Sequence, residues 1–141
     1  MGVNGLSPFL AGDAGVDSGL MIAQYTQAAL VSENKRLASP ASVDSIPSSA
    51  MQEDHVSMGW SAARKLRTAV DNLTRIIAIE LVTASRAIEL RAPLKPSPVS
   101  ASIISELRKT VAGPGPDRYL SPELMAATSF VAAGKVMSAI Q

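Results

Sequence analysis

Apolar residues recur at helical spacing along most of this chain, and prolines and glycines cut the recurrence into separate stretches. From Ser18 to Ala38, Leu20, Ala23, Leu30, Val31 and Leu37 approximate one face of a helix, and Pro40 stops it. The pattern therefore predicts a helix over 18–38, preceded by an irregular segment, 1–17, rich in Gly, Asp and Pro. Ser39 to Ala50 is a run of small polar residues with Pro40 and Pro47, which reads as a loop. Ser49, with Gln52 three positions on, fits a capping box and predicts a new helix from about residue 50. Between 50 and 91 there is no proline and only Gly59, so this stretch is expected to run as one helix of ~40 residues and ~60 Å. Ala92 to Pro98 breaks the pattern, and Ser97-Pro98 opens a helix over 98–112 with proline in its first turn. After the loop GPGPD, Ser121-Pro122-Glu123 opens a last helix over 121–140, interrupted at Gly134.

The long central stretch changes character along its length. Arg64, Arg67, Asp71 and Arg75 form a solvated stripe, with Leu66, Val70, Leu73 and Ile77 on other faces. Further on, Ile76, Ile77, Ala78, Ile79, Leu81 and Val82 surround the helix with apolar surface broken only by Glu80. Each wet Leu or Ile forgoes roughly 1.5–3 kcal/mol, and one chain of this size offers few partners to cover them all. The expected architecture is all-α, with long helices in a bundle that packs into a homo-oligomer through this helix. No internal repeat points to a solenoid.

Composition narrows the classes. Hydrophobic residues make up 47% of the 141 residues but aromatics only 4%. Many alanines and few rings suit closely packed helices better than a β-sandwich. A net charge of +1 offers no basic face to neutralise phosphates, so no nucleic-acid partner is expected. Zero cysteines exclude disulfides and thiolate metal sites. No apolar run reaches the ~18 residues of a spanning helix, and the start carries no cation ahead of its apolar stretch. No membrane association is expected, and the location is taken as cytoplasmic.

Chemistry concentrates in Gln52-Glu53-Asp54-His55. A carboxylate in the first turns of a helix is favoured in its ionised form and can accept an N–H from an imidazole ring. On the residues alone, Glu53 and Asp54 read first as ordinary acids that compensate a helix dipole, and Gln52 equally as the capping-box partner or a substrate contact. His55, the single histidine, is more often structural than catalytic in such a position. Three consecutive residues point to different sides of a helix, so no metal site is expected. One histidine without a Gly-x-Ser-x-Gly supports no nucleophilic triad, and the glycines of FLAGDAGVDSG lack the lysine of a phosphate loop.

A set of longer matches settles the weighting. PASVDSIPSSAMQEDHVSMG at Pro40 to Gly59, NGLSPFL at Asn4 to Leu10, SGLMIAQYT at Ser18 to Thr26, LKPSP at Leu94 to Pro98 and DRYLSPE at Asp117 to Glu123 occur in order across nearly the whole chain. Together they resemble the C-terminal quarter of the histidine ammonia-lyases, in the aromatic amino acid ammonia-lyase family. The resemblance implies conversion of L-histidine to urocanate and ammonia in a homotetramer of mostly parallel helices. Each active site there is shared between subunits. It implies that Glu53 is the catalytic and substrate-binding residue near the substrate imidazole, with Gln52 as a further substrate contact. The family builds its electrophile, a methylidene-imidazolone, from an internal Ala-Ser-Gly, and no such triplet occurs in these 141 residues. No cofactor is therefore expected in this chain, which is expected to be a fragment inactive alone.

Met51 departs from the Asn or Gly of the family and leaves specificity for another aromatic amino acid, as a lyase or aminomutase, open. Phenylalanine-specific relatives carry an amide where this chain has Glu53, which favours histidine. A helical self-association module is the alternative from another class. Tyr25 and Tyr119 are assigned to packing, and Asn34 and Lys35 to a solvated helix end.

Overall fold

A computed structural model describes residues 2 and 4–140. Five helices carry the fold among them: α1 (Met21–Leu37), α2 (Gly59–Glu89), α3 (Pro98–Leu107), α4 (Ser121–Ala132) and the short α5 (Lys135–Ser138). The fold is all-α, with one minimal hairpin, β1 (Pro47–Ser48) against β2 (Glu53–Asp54), antiparallel with Ser48 opposite Glu53.

α1 begins where the chain turns at Gly19, whose φ is 61°. A Cβ there would lie 2.5 Å from the Phe9 carbonyl oxygen, so only glycine fits the approach. Lys35 and Arg36 fill the last turn, where cations complement the helix C-terminus. α2 is the spine, about 46 Å long by its 31 residues. α1 runs antiparallel along it, and α4 packs beside α1 on the same helix. Ala78 and Val82 of α2 meet Leu107, Val111, Ala127 and Phe130 in the main core, while Ile79 meets Leu20 and Ala23 on the α1 side. Full burial of Leu107 or Phe130 is worth about 1.5–3 kcal/mol each. Ser97 caps α3 by accepting from the Ser100 amide at 3.3 Å.

Several expectations need correction. The long helix starts at Gly59 rather than near 50, and Ser49 and Gln52 form no capping box. Ser49, Ala50 and Met51 instead have φ of 52°, 56° and 69°, a left-handed turn that no right-handed helix can continue through. Ser121 makes no capping bond. The apolar girdle of α2 is covered only in part by this chain. Ala78, Ile79 and Val82 are buried by the chain's own helices, whereas Leu66, Val70, Leu73 and Ile77 are exposed.

Candidate functional site

The segment between α1 and α2 presents Gln52 and Glu53 on a hairpin. Ser48 and Glu53 pair across it, and the Ser48 hydroxyl donates to the Asp54 carbonyl at 3.0 Å. The left-handed turn at 49–51 reverses the chain, and the Gln52 amide closes it on the Ser49 carbonyl at 3.2 Å. Ser49 Oγ donates to Glu53 Oε2 at 3.2 Å, which holds one carboxylate oxygen and leaves the other available. Gln52, Glu53, Asp54 and His55 are all exposed. The carboxylate is thus offered outward on a backbone-paired strand, not from the first turn of a helix. Met51 sits at φ 69° with its side chain 83% exposed, in a conformation that Gly or Asn adopts at lower cost. The residue at position 51 therefore bears on the turn beside Glu53. Among the described residues no group of three or more His, Asp or Glu could hold a metal ion.

A cleft of ≈ 800 Å³ lies elsewhere, between α1 and α4 above α2, and Gln52 and Glu53 do not line it. Ile22, Leu30, Ile79, Leu124 and Met125 give it an apolar wall, and Arg86 lies in its lining. Arg86 is 5% exposed, donating from Nε to the Leu10 carbonyl at 2.8 Å and from Nη2 to the Gly115 carbonyl at 2.9 Å. Burial, then the nearby Arg118, lower its pKa, opposed by Asp117 and Asp17. The Asp117 carboxylate accepts from the Ser18 and Gly19 amides at 2.7 and 2.8 Å, and those two bonds hold its pKa below the usual aspartate value. Arg118 and Glu123 form a two-bond ion pair at 2.5 and 3.0 Å, which raises the one pKa and lowers the other. Arg86 and Asp117 tie the segment at 10–19 to the loop at 113–118, while Arg118 and Glu123 join that loop to the first turn of α4.

Sequence matching to known proteins decides the family. The family model described as aromatic amino acid lyase matches residues 1–109. The chain belongs to that family. It is 72% identical to the histidine ammonia-lyase of Streptomyces avermitilis over 139 residues, covering 98% of this chain and 27% of that protein. In structure it is similar to histidine ammonia-lyase from Trypanosoma cruzi, with a TM-score of 0.90 and 43% identity over 96% of this chain and 27% of that one. It is also similar to tyrosine aminomutase from Streptomyces globisporus, with a TM-score of 0.88 and 35% identity over 96% of this chain and 26% of that one. The chain thus spans about a quarter of the length of these lyase-family relatives.

Within this lyase-family segment, pattern reading passed over several polar residues that the fold uses. Asn34 is half-buried and bonded to α2 rather than solvated. Asn72 and Arg86 are buried on α2. The signal was available: residues 72, 79, 82 and 86 share one helical stripe, so a polar residue at 72 or 86 interrupts an apolar face. Tyr25 and Tyr119, expected to pack, are 65% and 80% exposed.

Proposed function

We propose that this chain is the part of a histidine ammonia-lyase that carries Glu53 to the active site, where L-histidine is converted to urocanate and ammonia. The observation that carries the reading is the Glu53 carboxylate itself, displayed on a hairpin with one oxygen held by Ser49. An ionised carboxylate accepts an imidazole N–H, which orients the ring and can exchange a proton with it. Gln52, next to it and exposed, supplies an amide able to donate and accept at the edge of the same site. Relatives acting on tyrosine are less similar to this chain than those named for histidine, which favours histidine over another aromatic substrate.

None of the 141 residues forms the Ala-Ser-Gly from which the family's electrophile is made. The residues present therefore do not supply that group, and the role of this segment is binding and orientation. The active site is completed by other parts of a longer lyase and by neighbouring copies in a cytoplasmic homo-oligomer, as the resemblance implies. Among the described residues no helix is long and apolar enough to cross a membrane.

The test is Glu53→Gln in the longer protein carrying this segment, assayed by urocanate absorbance from L-histidine. Loss of a positioned acid–base and orienting group is expected to lower kcat/KM by about 10²-fold or more. Unchanged kcat/KM would sink the assignment of Glu53.

A further inference from the structure

The α1–α2 seam contains one polar cluster, and it lies next to the connection that bears Glu53. Asn72 is 3% exposed, and its Nδ2 donates to Glu33 Oε2 at 2.9 Å and to Asn34 Oδ1 at 3.0 Å. Asn34 Nδ2 in turn donates to the Ala69 carbonyl at 3.2 Å. Two turns back along α1, Gln27 Nε2 donates to the Ile76 carbonyl at 3.0 Å. An apolar helix pair tolerates sliding, because one methyl group serves much as another. A buried amide does not: a slide of one turn, about 5.4 Å, would strand Asn72 without partners at a substantial desolvation cost. The cluster therefore selects one register of α1 against α2.

That register matters because packing fades immediately beyond it. Between the end of α1 and the first half of α2 lies a gap of ≈ 290 Å³ lined by Leu37, Pro40, Ala62, Leu66 and Ala69. The Ser39 carbonyl, bonded to Lys65 Nζ, and the turn at 41–43 against α2 are the ties that remain there. The connection at 38–58 then carries three consecutive left-handed residues, Ser49, Ala50 and Met51. Such backbone persists only where its surroundings over-determine it. The two ends of the connection, Ala38 on α1 and Met58 before α2, are held relative to each other by the helix pair.

We infer that Asn34 and Asn72 are positioning residues for Glu53: a buried amide lock that fixes the α1–α2 register and so places the hairpin displaying Gln52 and Glu53. This rests on the reading that Glu53 meets the substrate. A carboxylate displaced by about 1 Å from a productive geometry can lose as much as 10²-fold in rate, so a lock outside the site acts on the chemistry through placement alone.

Hydrogen exchange followed by mass spectrometry on the 141-residue chain tests the lock without any need for turnover. Asn72→Ala is expected to speed exchange about tenfold or more in the last turn of α1 and across 38–58, with α3 and α4 unchanged. Asn34→Asp keeps the oxygen that Asn72 donates to but loses the donor to Ala69, so a smaller rise in the same peptides is expected. It serves as the second reading should Asn72→Ala fail to fold. Thr68→Ala, at an exposed position on α2, is expected to leave all peptides unchanged. No change across 38–58 in the asparagine variants, or equal acceleration of every helix, overturns the lock.

The functional arm uses the longer protein. If Asn72 acts through Glu53, the double variant Asn72→Ala/Glu53→Gln loses no more kcat/KM than Glu53→Gln alone, whereas multiplied losses overturn the positioning role. Unchanged turnover in Glu53→Gln overturns the assignment of Glu53 itself, while the exchange pattern separately decides the lock.

Discussion

Asp117 stabilises this fold by accepting two backbone amides, at Ser18 and Gly19, from the far end of the sequence. Those amides precede α1 and would otherwise go unpaired at its entrance, so the carboxylate acts as a cap delivered from a distance. The bonds favour the ionised form and hold its pKa below the ordinary 3.8. A depressed carboxylate contributes stability that is present above its unfolded pKa and is lost as pH falls through the folded one. Asp117→Asn is therefore expected to lower the thermal midpoint at neutral pH, and its curve is expected to meet that of the unmodified chain at the acid end. Thermal unfolding by circular dichroism across that range checks this. Glu123, held down in the same sense by Arg118, remains to give the variant a residual acid sensitivity. Parallel curves with a constant offset would contradict the role given to the charge. At this scale the sequence marked Asp117 only as part of a matching stretch. Its partners lie 98 and 99 positions away, and no local pattern can report such a pair.

At the level of elements, α2 divides into a half the chain covers and a half it leaves open. Leu66, Val70, Leu73 and Ile77 follow one another at steps of four, three and four, the spacing of a seam between helices. Their exposures run from 65% at Leu66 to 43% at Ile77, more open surface than a single helix face normally leaves wet. Association of copies through this stripe is the expected consequence, and Leu73→Glu is the substitution to make. A charge buried without a partner should weaken self-association by about a hundredfold or more while leaving helix content unchanged, because the position is exposed within one chain. Sedimentation velocity over a concentration series would read the change. Equal association in both proteins would move the interface elsewhere. The periodicity pointed to association through the stretch from Ile76 to Val82, of which Ala78, Ile79 and Val82 are buried within the chain while Ile77 stays exposed. Hydropathy reports how much apolar surface a helix has, and only the positions of α1, α3 and α4 decide which part of it is already covered.

At the scale of the whole molecule, the proposed reading has the segment contribute the Glu53 carboxylate to a site whose Ala-Ser-Gly triplet does not occur in these 141 residues. The 141-residue chain incubated with L-histidine is expected to yield no urocanate, because a catalytic constellation loses most of its effect when its members are not held together. Turnover by the purified chain, monitored at the urocanate absorbance, would place the chemistry within these residues after all. The sequence by itself determined the helical class and the family, because both rest on local spacing and on residue order, which are one-dimensional. Only the tertiary structure decided that Glu53 stands on a hairpin and not in a helix, since the left-handed turn at Ser49 to Met51 violates the preference those residues show on their own. It alone showed Asn34 and Asn72 meeting across two helices, 38 positions apart, and Arg86 joining Leu10 to Gly115. Burial is a property of what packs against a residue, and that is fixed by the fold and not by its neighbours in the chain.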